Sequence, residues 1–253
     1  MKISVLQENL AKGLSIVSKA VDSRPTLPVL NNILLEAEGS RLKLAATNLQ
    51  MSITMWIGAK VDVPGSITLP ASTFKDLVNN LSPERVDLDL DPQTQTVHVH
   101  CGATNSNIKG ISAEEFPPIT HGEGSDVAVT GATLEEMILH TAFAAAKEDN
   151  RPILTGVYTE LDGDNITMAA ADGYRLAVRN GKMVREISEK MSLVIPAKTL
   201  LEVARIIDDN DDEVNFDSIR RDTMCDLHKS EMMYSVLEKP VEISDFELVK
   251  QIK

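Results

Sequence analysis

Long apolar runs are missing from this sequence of 253 residues, and cysteine is nearly missing as well. No stretch approaches the roughly 18 consecutive apolar residues of a membrane-spanning helix, and the first ten residues lack the apolar core of a signal peptide. The only cysteines, Cys101 and Cys225, are too few for a disulfide framework and have no metal-ligand spacing. These absences favour a reduced, cytoplasmic protein with no membrane partner.

The motifs of common catalytic and cofactor sites are missing too. Residues 122–124 (Gly-Glu-Gly) lack the lysine and the strand–helix context of a phosphate-binding loop. The acidic segment 208–213 lacks the glycine and the roughly twelve-residue plan of a calcium loop and is typical of a helix-to-strand turn. His98 and His100 could form a metal pair, but no third ligand accompanies them, so an exposed strand face is the favoured interpretation. We therefore expect no enzyme, no cofactor and no metal.

Positive charge is also scarce. The chain has 25 lysines and arginines against 38 aspartates and glutamates, which gives a formal net charge of −13 and a pI near 4.8. Taken alone, this balance argues against nucleic acid as a partner, because neutralising phosphates requires clustered lysine and arginine. The distribution of charge along the chain is therefore more informative than its sum.

The most informative stretch that is present spans residues 169–178, A-A-A-D-G-Y-R-L-A-V. Asp172 and Gly173 lie between two apolar runs and predict a tight hairpin turn, because glycine tolerates a positive φ. The returning strand would carry Tyr174, Arg175 and Leu176, with alternate side chains on opposite faces. By itself, such a turn can be a plain connection between two strands.

Apolar periodicity predicts four helices separated by groups of short strands. The helices are expected at 7–21, at 70–81, after Thr133, whose spacing to Glu136 matches a capping box, and at 196–207. Short apolar or alternating segments predict strands at 30–37, 41–47, 51–57, 59–63, 66–69, 84–90, 95–101, 106–111, 126–130, 153–161, 165–171, 174–180, 191–195, 213–217, 222–228 and 231–237. The polar residues 121–125, with two glycines, predict a linker.

The second half of the chain repeats the first at an offset of about 124 to 130 residues. The clearest matches are 30–36 with 154–160, 46–48 with 170–172, and 70–74 with 196–200. Cys101 and Cys225 also stand 124 residues apart. An internal repeat of this length predicts two tandem domains of one fold, residues 1–121 and 126–253. We expect an α+β fold class in which each domain has helices on one face and antiparallel strands on the other.

Charge differs between the predicted helices and the rest of the chain. The helices, with Lys147 and Arg205 included, carry six basic and five acidic residues, so the remainder carries a net charge of −14. Arg24 and Arg151, each followed by proline, add to the basic side at matching loop positions. A helix layer with its cations turned one way could face a phosphate backbone, although ordinary solvated helices explain the charge equally well. The helix candidates for such a surface are Lys12, Lys75, Lys147, Lys198 and Arg205.

A resemblance that covers the whole chain depends on six short features. They are residues 24–28 (R-P-T-L-P), Asn48, residues 70–71 (P-A), residues 116–117 (F-P), residues 171–176 (A-D-G-Y-R-L) and Pro196. Together these features resemble the bacterial sliding clamp family, the beta subunit of DNA polymerase III. The resemblance implies a closed ring around duplex DNA, with tandem clamp domains, helices on the inner face, antiparallel sheets on the outer face and no catalysis. It implies double-stranded DNA, a replicative DNA polymerase, a clamp loader and other proteins with a clamp-binding motif as partners.

The resemblance also assigns residues to DNA. Arg24 matches a family position that contacts DNA, and Lys147 and Arg151 lie in the matching loop of the second domain. In that loop, Pro152 and Ile153 stand where some clamps carry aromatic residues, so this chain lacks those rings.

A second implied site is the pocket that receives short linear motifs of polymerases and other client proteins. An apolar pocket with few polar groups suits a short peptide that is anchored by one or two apolar side chains. The residues on the positions of this pocket are Leu154, Ala171, Gly173, Tyr174, Arg175, Leu176, Ser244, Leu248 and Val249. Ser244 and Leu248 stand where the family usually has proline and arginine.

Family chains have three such domains, whereas this sequence spans two, and its tail is expected to be the linker to a third. A ring of six domains would need three two-domain chains joined head to tail through a new heterologous interface. The favoured alternative is a monomer that fails to close the usual dimer, does not encircle DNA and only binds client peptides.

Overall fold

The chain divides into two compact units, one of residues 1–119 with 231–233 and the other of residues 120–230 with 234–253. The computed structural model describes residues 1–21, 27–49, 51–119, 127–147, 151–188, 190–207, 213–219, 224–229 and 232–237. None of the helices in these ranges is long and apolar enough to cross a membrane.

The first unit alternates two helices with groups of antiparallel strands. Its elements are β1 (Lys2–Leu6), α1 (Gln7–Val17), β2 (Asn32–Glu38), β3 (Arg41–Thr47), β4 (Met51–Gly58), β5 (Lys60–Val63), β6 (Gly65–Pro70), α2 (Ala71–Asn79), β7 (Arg85–Asp91), β8 (Thr96–Cys101) and β9 (Thr104–Lys109). Strands β5, β1, β7, β8 and β9 are hydrogen-bonded neighbours in that order, and so are β4, β3, β2 and β6. Each of these neighbouring pairs is antiparallel.

The second unit repeats this plan. Its elements are β10 (Val127–Thr130), α3 (Gly131–Thr141), β11 (Gly156–Asp162), β12 (Asn165–Ala171), β13 (Leu176–Lys182), β14 (Met191–Pro196), α4 (Ala197–Ala204), β15 (Glu213–Ile219), β16 (Met224–Lys229) and β17 (Met232–Leu237). The strand orders are β13, β12, β11, β14 in one sheet and β10, β15, β16, β17 in the other. Both orders match those of the first unit, except that β5 has no counterpart among the described strands of the second, so the predicted tandem repeat of one fold is confirmed.

The helices lie on one side of the strands in each unit because each helix has one apolar stripe to bury. In α1, Leu10, Leu14 and Val17 share that stripe and are fully buried. Helix α1 packs against β3 and β4 and lies beside α2, while α3 packs against β12 and β13 and lies beside α4. The α+β fold class, with helices on one face of antiparallel strands, is therefore confirmed.

The N-terminal segment differs from its prediction. Residues 2–6 form β1, in which Ile3 and Val5 alternate with polar residues and are buried, although no strand was expected there. The helix expected over 7–21 ends at Val17, and residues 18–20 form a single turn of 3-10 helix. The alternation of K-I-S-V is itself a strand pattern, but it has only two apolar positions before Leu6 interrupts it, which is too few to detect.

The start of α3 also differs from its prediction. Thr130 is the N-cap, and its Oγ1 accepts a hydrogen bond from the Thr133 backbone N–H at 3.3 Å. The capping box expected from Thr133 to Glu136 is therefore wrong, because Thr133 is already the third residue of the helix.

The element boundaries show that the cysteine spacing is a coincidence. The offset between equivalent strands is 124 residues from β2 to β11, where Asn32 and Gly156 begin the strands, but 128 residues from β7 to β15. Cys101 ends β8 and its equivalent at the end of β16 is Lys229, whereas Cys225 is the second residue of that strand. The two cysteines therefore occupy different positions in the repeat.

The hairpin predicted at Asp172-Gly173 exists, and Gly173 has a φ of +90° as its sequence suggested. The turn is wider than expected, however. Ala171 pairs with Leu176, and the Asp172 N–H donates to the Arg175 carbonyl oxygen at 3.3 Å across a four-residue loop. The prediction that Tyr174 and Arg175 lie on the returning strand is therefore wrong, because β13 begins at Leu176.

The first unit has the same turn between β3 and β4. The Asn48 N–H donates to the Met51 carbonyl oxygen at 3.1 Å, and Asn48 Oδ1 accepts the Met51 N–H at 2.8 Å. Leu49 occupies the position of Gly173 and has a φ of +70°. Leucine is strained in this left-handed region because its Cβ crowds the backbone, and its side chain here is 46 % exposed.

Replacing this leucine should stabilise the first unit. Asparagine adopts a positive φ with less strain than leucine, and little apolar burial is lost with a half-exposed side chain. We expect Leu49→Asn to raise the free energy of unfolding by about 0.5–1 kcal/mol, measured by urea denaturation.

The matched change in the second unit should act in the opposite direction. Gly173→Ala places a Cβ on a backbone with a φ of +90°, so we expect it to lower the free energy of unfolding by about 1 kcal/mol. A Leu49→Asn variant that is less stable than the original chain would contradict this account of the turn.

Candidate functional site

Most of the lysines predicted to face DNA lie on the helix layer of their unit. Lys12 is exposed on α1, Lys75 is half-buried on the neighbouring α2, and Lys198 is exposed on α4. Arg205 caps the end of α4, where it is exposed and paired with Glu202. These four side chains thus sit on the elements from which they were predicted.

The second-unit loop differs from its prediction in part. Lys147 is exposed but lies beyond Thr141, where α3 ends, and beyond the 3-10 turn at 142–144, so counting it on the helix was wrong. Arg151 is exposed immediately before a second 3-10 turn, which spans Pro152–Thr155. Arg24, the first-unit counterpart, lies outside the described residues.

The helix-layer lysines differ from many sheet lysines in their partners. Within the described ranges, Lys12, Lys75, Lys147 and Lys198 form no ion pair. Five sheet or sheet-flanking lysines each contact a carboxylate at 2.5–3.1 Å, namely Lys2 with Asp89, Lys43 with Glu36, Lys60 with Asp62, Lys182 with Asp164, and Lys190 with Glu160 and Asp162. These four lysines, three on the helices and one in the loop after α3, are therefore available to an external anion, whereas Arg205 is paired with Glu202. Most of the described sheet lysines are paired in place, and Lys109 on β9 is an exception within the described residues.

Two of the predicted pocket residues expose large apolar or aromatic side chains, one in the loop 172–175, called the hairpin loop below, and one directly after it. Tyr174 is 99 % exposed, and Leu176, which follows the loop, is 38 % exposed. The Asp172 carboxylate fixes the loop from within, because its Oδ1 accepts the backbone N–H groups of Tyr174 and Arg175, both at 3.0 Å. An exposed aromatic ring on a fixed loop is a suitable anchor for a partner.

The Asp172 carboxylate is charged under ordinary conditions. Its pKa lies below the usual value, chiefly because it accepts the Tyr174 N–H, with the N–H and side chain of Arg175 contributing further. The stabilisation that comes from this group is present above its unfolded pKa and is lost only as the pH falls through the lower folded value.

The Arg175 side chain is held on two sides. Its Nε lies 2.9 Å from Asp172 Oδ2, and its guanidinium carbon lies 5.6 Å from the centre of the Phe143 ring. That distance and placement are those of a cation–π contact. Phe143 belongs to the 3-10 turn 142–144 that follows α3 and is 54 % exposed.

The turn 152–155 carries Leu154, another of the predicted pocket residues, and is held by backbone hydrogen bonds. The Leu154 N–H donates to the Arg151 carbonyl oxygen at 3.0 Å, and the Leu154 carbonyl oxygen accepts the Ala146 N–H at 2.8 Å. Arg151 reaches the hairpin loop, since its Nη1 lies 3.9 Å from where a Cβ on Gly173 would be. Ile153 anchors the turn on the buried cluster of Tyr158, Ala169 and Val194.

Arg151, which immediately precedes the turn of Leu154, thus lies beside Gly173, while the assignment of Leu154 and of the run from Ala171 to Leu176 to one pocket stays a prediction. Strand β11 begins only at Gly156, because residues 152–155 form the 3-10 turn and not the start of the strand expected over 153–161. Ser244, Leu248 and Val249 lie outside the described residues. Sequence reasoning missed Phe143, since T-A-F-A-A-A reads as the continuation of a buried helix stripe.

The histidine pair on β8 has neighbours that explain it without a ligand. His98 Nδ1 lies 2.6 Å from Asn107 Oδ1, and His100 Nδ1 lies 2.8 Å from Asn105 Oδ1, both across the antiparallel pair β8–β9. Among the described residues, no group of three histidine, cysteine or acidic side chains is placed to hold a metal. The pair forms part of an exposed polar strand face.

Comparison with known proteins extends these observations to the whole chain. Residues 1–120 match the family model of the DNA polymerase III beta subunit, N-terminal domain, and residues 128–238 match that of its central domain. The beta sliding clamp of Synechocystis is 35 % identical over 226 residues, which cover 82 % of this chain and 58 % of that protein. The beta sliding clamp of Pseudomonas aeruginosa is 32 % identical over 216 residues, which cover 85 % of this chain and 59 % of that protein.

A solved structure agrees with these matches. The crystal structure of the DNA polymerase sliding clamp from Bacillus subtilis superposes with a TM-score of 0.93 at 26 % identity, covering 98 % of this chain and 67 % of that one. This chain spans less than two thirds of the length of its first curated relatives. Two consecutive domain matches, the repeated topology and the structural likeness agree, and the chain belongs to the bacterial DNA polymerase III beta subunit family, the beta sliding clamps.

Proposed function

We propose that this chain is a non-enzymatic processivity clamp of DNA replication, which encircles duplex DNA without sequence specificity and tethers DNA polymerase and other clients. Its two clamp domains are residues 1–121 and 126–253, and it works in the cytoplasm. The observation that carries the DNA part of this proposal is that the helix-layer lysines have no carboxylate partner among the described residues, whereas five sheet-side lysines do.

Unpaired lysines on helices suit a partner that is a uniform polyanion. A lysine ammonium is a point charge that contacts any phosphate, so a surface of such groups holds DNA in place without reading bases. The net charge of −13 repels DNA from the rest of the surface, which confines the contact to the helix layer. The proposed DNA-binding residues are Arg24, Lys12, Lys75, Lys147, Arg151, Lys198 and Arg205.

The client site of the proposal is the surface around the hairpin loop. Leu154 and Leu176 would supply apolar contact, and Tyr174 would be the exposed anchor for a short peptide. Ala171, Gly173 and Arg175 complete the part of this pocket that the structure describes, and Ser244, Leu248 and Val249 are assigned to it by the resemblance. The proposed occupants are the clamp-binding motifs of the replicative polymerase, the clamp loader and other clients.

A second candidate function is supported by the position of this loop. The hairpin loop, Phe143 and the turn 152–155 all belong to one unit, so a peptide could bind there without a closed ring. A head-to-tail oligomer that closes a ring would encircle DNA, whereas a monomer would only hold client peptides.

Reversing helix-layer charges should weaken DNA binding. We expect the double variant Lys12→Glu with Lys198→Glu to bind a duplex several-fold more weakly, because two attractions to phosphate are removed and two repulsions take their place. The slope of log affinity against log salt should fall in magnitude by about 0.9 for each lysine–phosphate interaction that is removed, measured by fluorescence anisotropy over a salt series.

A matched control is the double variant Lys2→Glu with Lys60→Glu, because both lysines are exposed on strands and already paired, Lys2 with Asp89 and Lys60 with Asp62. This variant should leave both the affinity and the salt slope unchanged. Equal losses in the helix and strand variants would show that net charge alone governs binding and would contradict a helix-layer DNA surface.

Truncating the anchor of the client site should weaken peptide binding. We expect Tyr174→Ala to raise the dissociation constant of a fluorescently labelled clamp-binding peptide about tenfold or more, since exposed aromatic anchors dominate such contacts. Val184→Ala is the control, because Val184 is 45 % exposed in the same unit but lies outside the loop. Unchanged peptide binding in Tyr174→Ala would remove the pocket from the proposal.

Native mass and loading on nicked circular DNA separate the two candidate functions. A trimer that stays on circular DNA and slides off after linearisation is expected for an encircling clamp. A monomer that binds the peptide and is never retained on the circle would establish the client-binding module instead.

A further inference from the structure

Phe143 is an exposed aromatic residue that the proposed pocket does not include. Single exposed apolar side chains are ordinary on protein surfaces, so exposure alone assigns it nothing. What distinguishes Phe143 from the similarly exposed Leu139, one turn earlier in the chain, is that the Arg175 guanidinium lies over its ring at 5.6 Å. Leu139 has no such partner among the described residues.

The chain around Phe143 fixes the ring in position. Ala142 and Ala144 on either side are buried, so the 3-10 turn is anchored and the side chain between them points outward. The preceding helix is tied to β13 by the ion pair between Glu136 and Arg179. The backbone that carries the ring is thus anchored by buried residues outside the hairpin loop.

A series of contacts runs from this ring to the hairpin loop. The Phe143 face contacts Arg175, the Arg175 Nε pairs with Asp172 Oδ2 at 2.9 Å, and Asp172 Oδ1 accepts the N–H groups of Tyr174 and Arg175 at 3.0 Å each. The Tyr174 side chain is 99 % exposed. The position of this residue therefore depends on the hydrogen bonds of its backbone and not on packing of its side chain.

We propose that Phe143 is a positioning residue of the client site: its ring holds Arg175, and through the Arg175–Asp172 pair it keeps the hairpin loop in the conformation that binds peptide. This inference rests on the proposed client-binding function. A loop held in its bound conformation loses less entropy when a peptide binds, so removing the support raises the dissociation constant without removing a peptide contact. Arg175 would then serve the site as a link between the anchored 3-10 turn and the hairpin loop.

The test compares side chains at position 143 that differ in their π face. Phe143→Leu keeps apolar bulk and loses the ring, so we expect about a two- to fivefold higher dissociation constant for the labelled clamp-binding peptide. Phe143→Tyr keeps the ring and should restore the original affinity. In an Arg175→Ala background, Phe143→Leu should have no further effect, because the interaction it would remove is already gone.

Hydrogen exchange gives a readout that does not depend on the peptide. The amides of Tyr174 and Arg175 should exchange faster in Phe143→Leu than in the original chain and normally in Phe143→Tyr, since their N–H groups are held by the Asp172 carboxylate. Leu139→Ala is the matched control and should change neither exchange nor affinity.

The outcomes separate this inference from the proposed function. If Tyr174→Ala weakens the peptide but Phe143→Leu matches the original chain in both affinity and exchange, the positioning role is overturned and the client site stands. If the original chain binds no clamp peptide, the client site fails, and with it the role of Phe143 in binding. Equal losses in Leu139→Ala and Phe143→Leu would overturn the specific contact with Arg175.

Discussion

The fold depends on the burial of each helix stripe against one face of an antiparallel sheet. Leu10, Leu14 and Val17 of α1 are fully buried, and the charged residues of this amphipathic helix lie on its opposite face. This constraint places Lys12 outward, and the second unit repeats it for Lys198 on α4. The helix layer therefore supports the sheet on one face and exposes Lys12 and Lys198 on the other, and neither lysine has an ion pair among the described residues.

The two units show how one backbone plan can acquire different local chemistry. Equivalent turns connect β3 to β4 and β12 to β13. The Asn48 side-chain oxygen accepts the Met51 N–H in the first turn, and the Asp172 carboxylate accepts the N–H groups of Tyr174 and Arg175 in the second. At the position of positive φ, one unit has a strained leucine and the other a glycine. A carboxylate can also form an ion pair with an arginine, as Asp172 does with Arg175, whereas the amide of Asn48 cannot form an ion pair.

The lysines of the helices and those of the sheets differ more in their ion pairing than in their number. The helices and the sheets both contain lysines, yet the strand lysines Lys2 and Lys43 lie directly opposite the carboxylates of Asp89 and Glu36 on neighbouring strands. A strand places alternate side chains next to those of its neighbours, so opposite charges meet at short range across the ladder. Lys12 and Lys198, on the outward faces of their helices, have no such carboxylate neighbour among the described residues.

The sequence by itself determined the tandem repeat, the four helices, nearly every strand and the hairpin at Asp172-Gly173, because periodicity and turn residues are local signals that survive in the fold. It did not determine β1 or the N-cap of α3, where too few residues carry the pattern. Only the tertiary structure decided that Phe143 supports Arg175 and that Lys2 meets Asp89, 87 residues away. Such contacts join segments that are distant in the chain, and no local pattern encodes which distant side chain will be the neighbour.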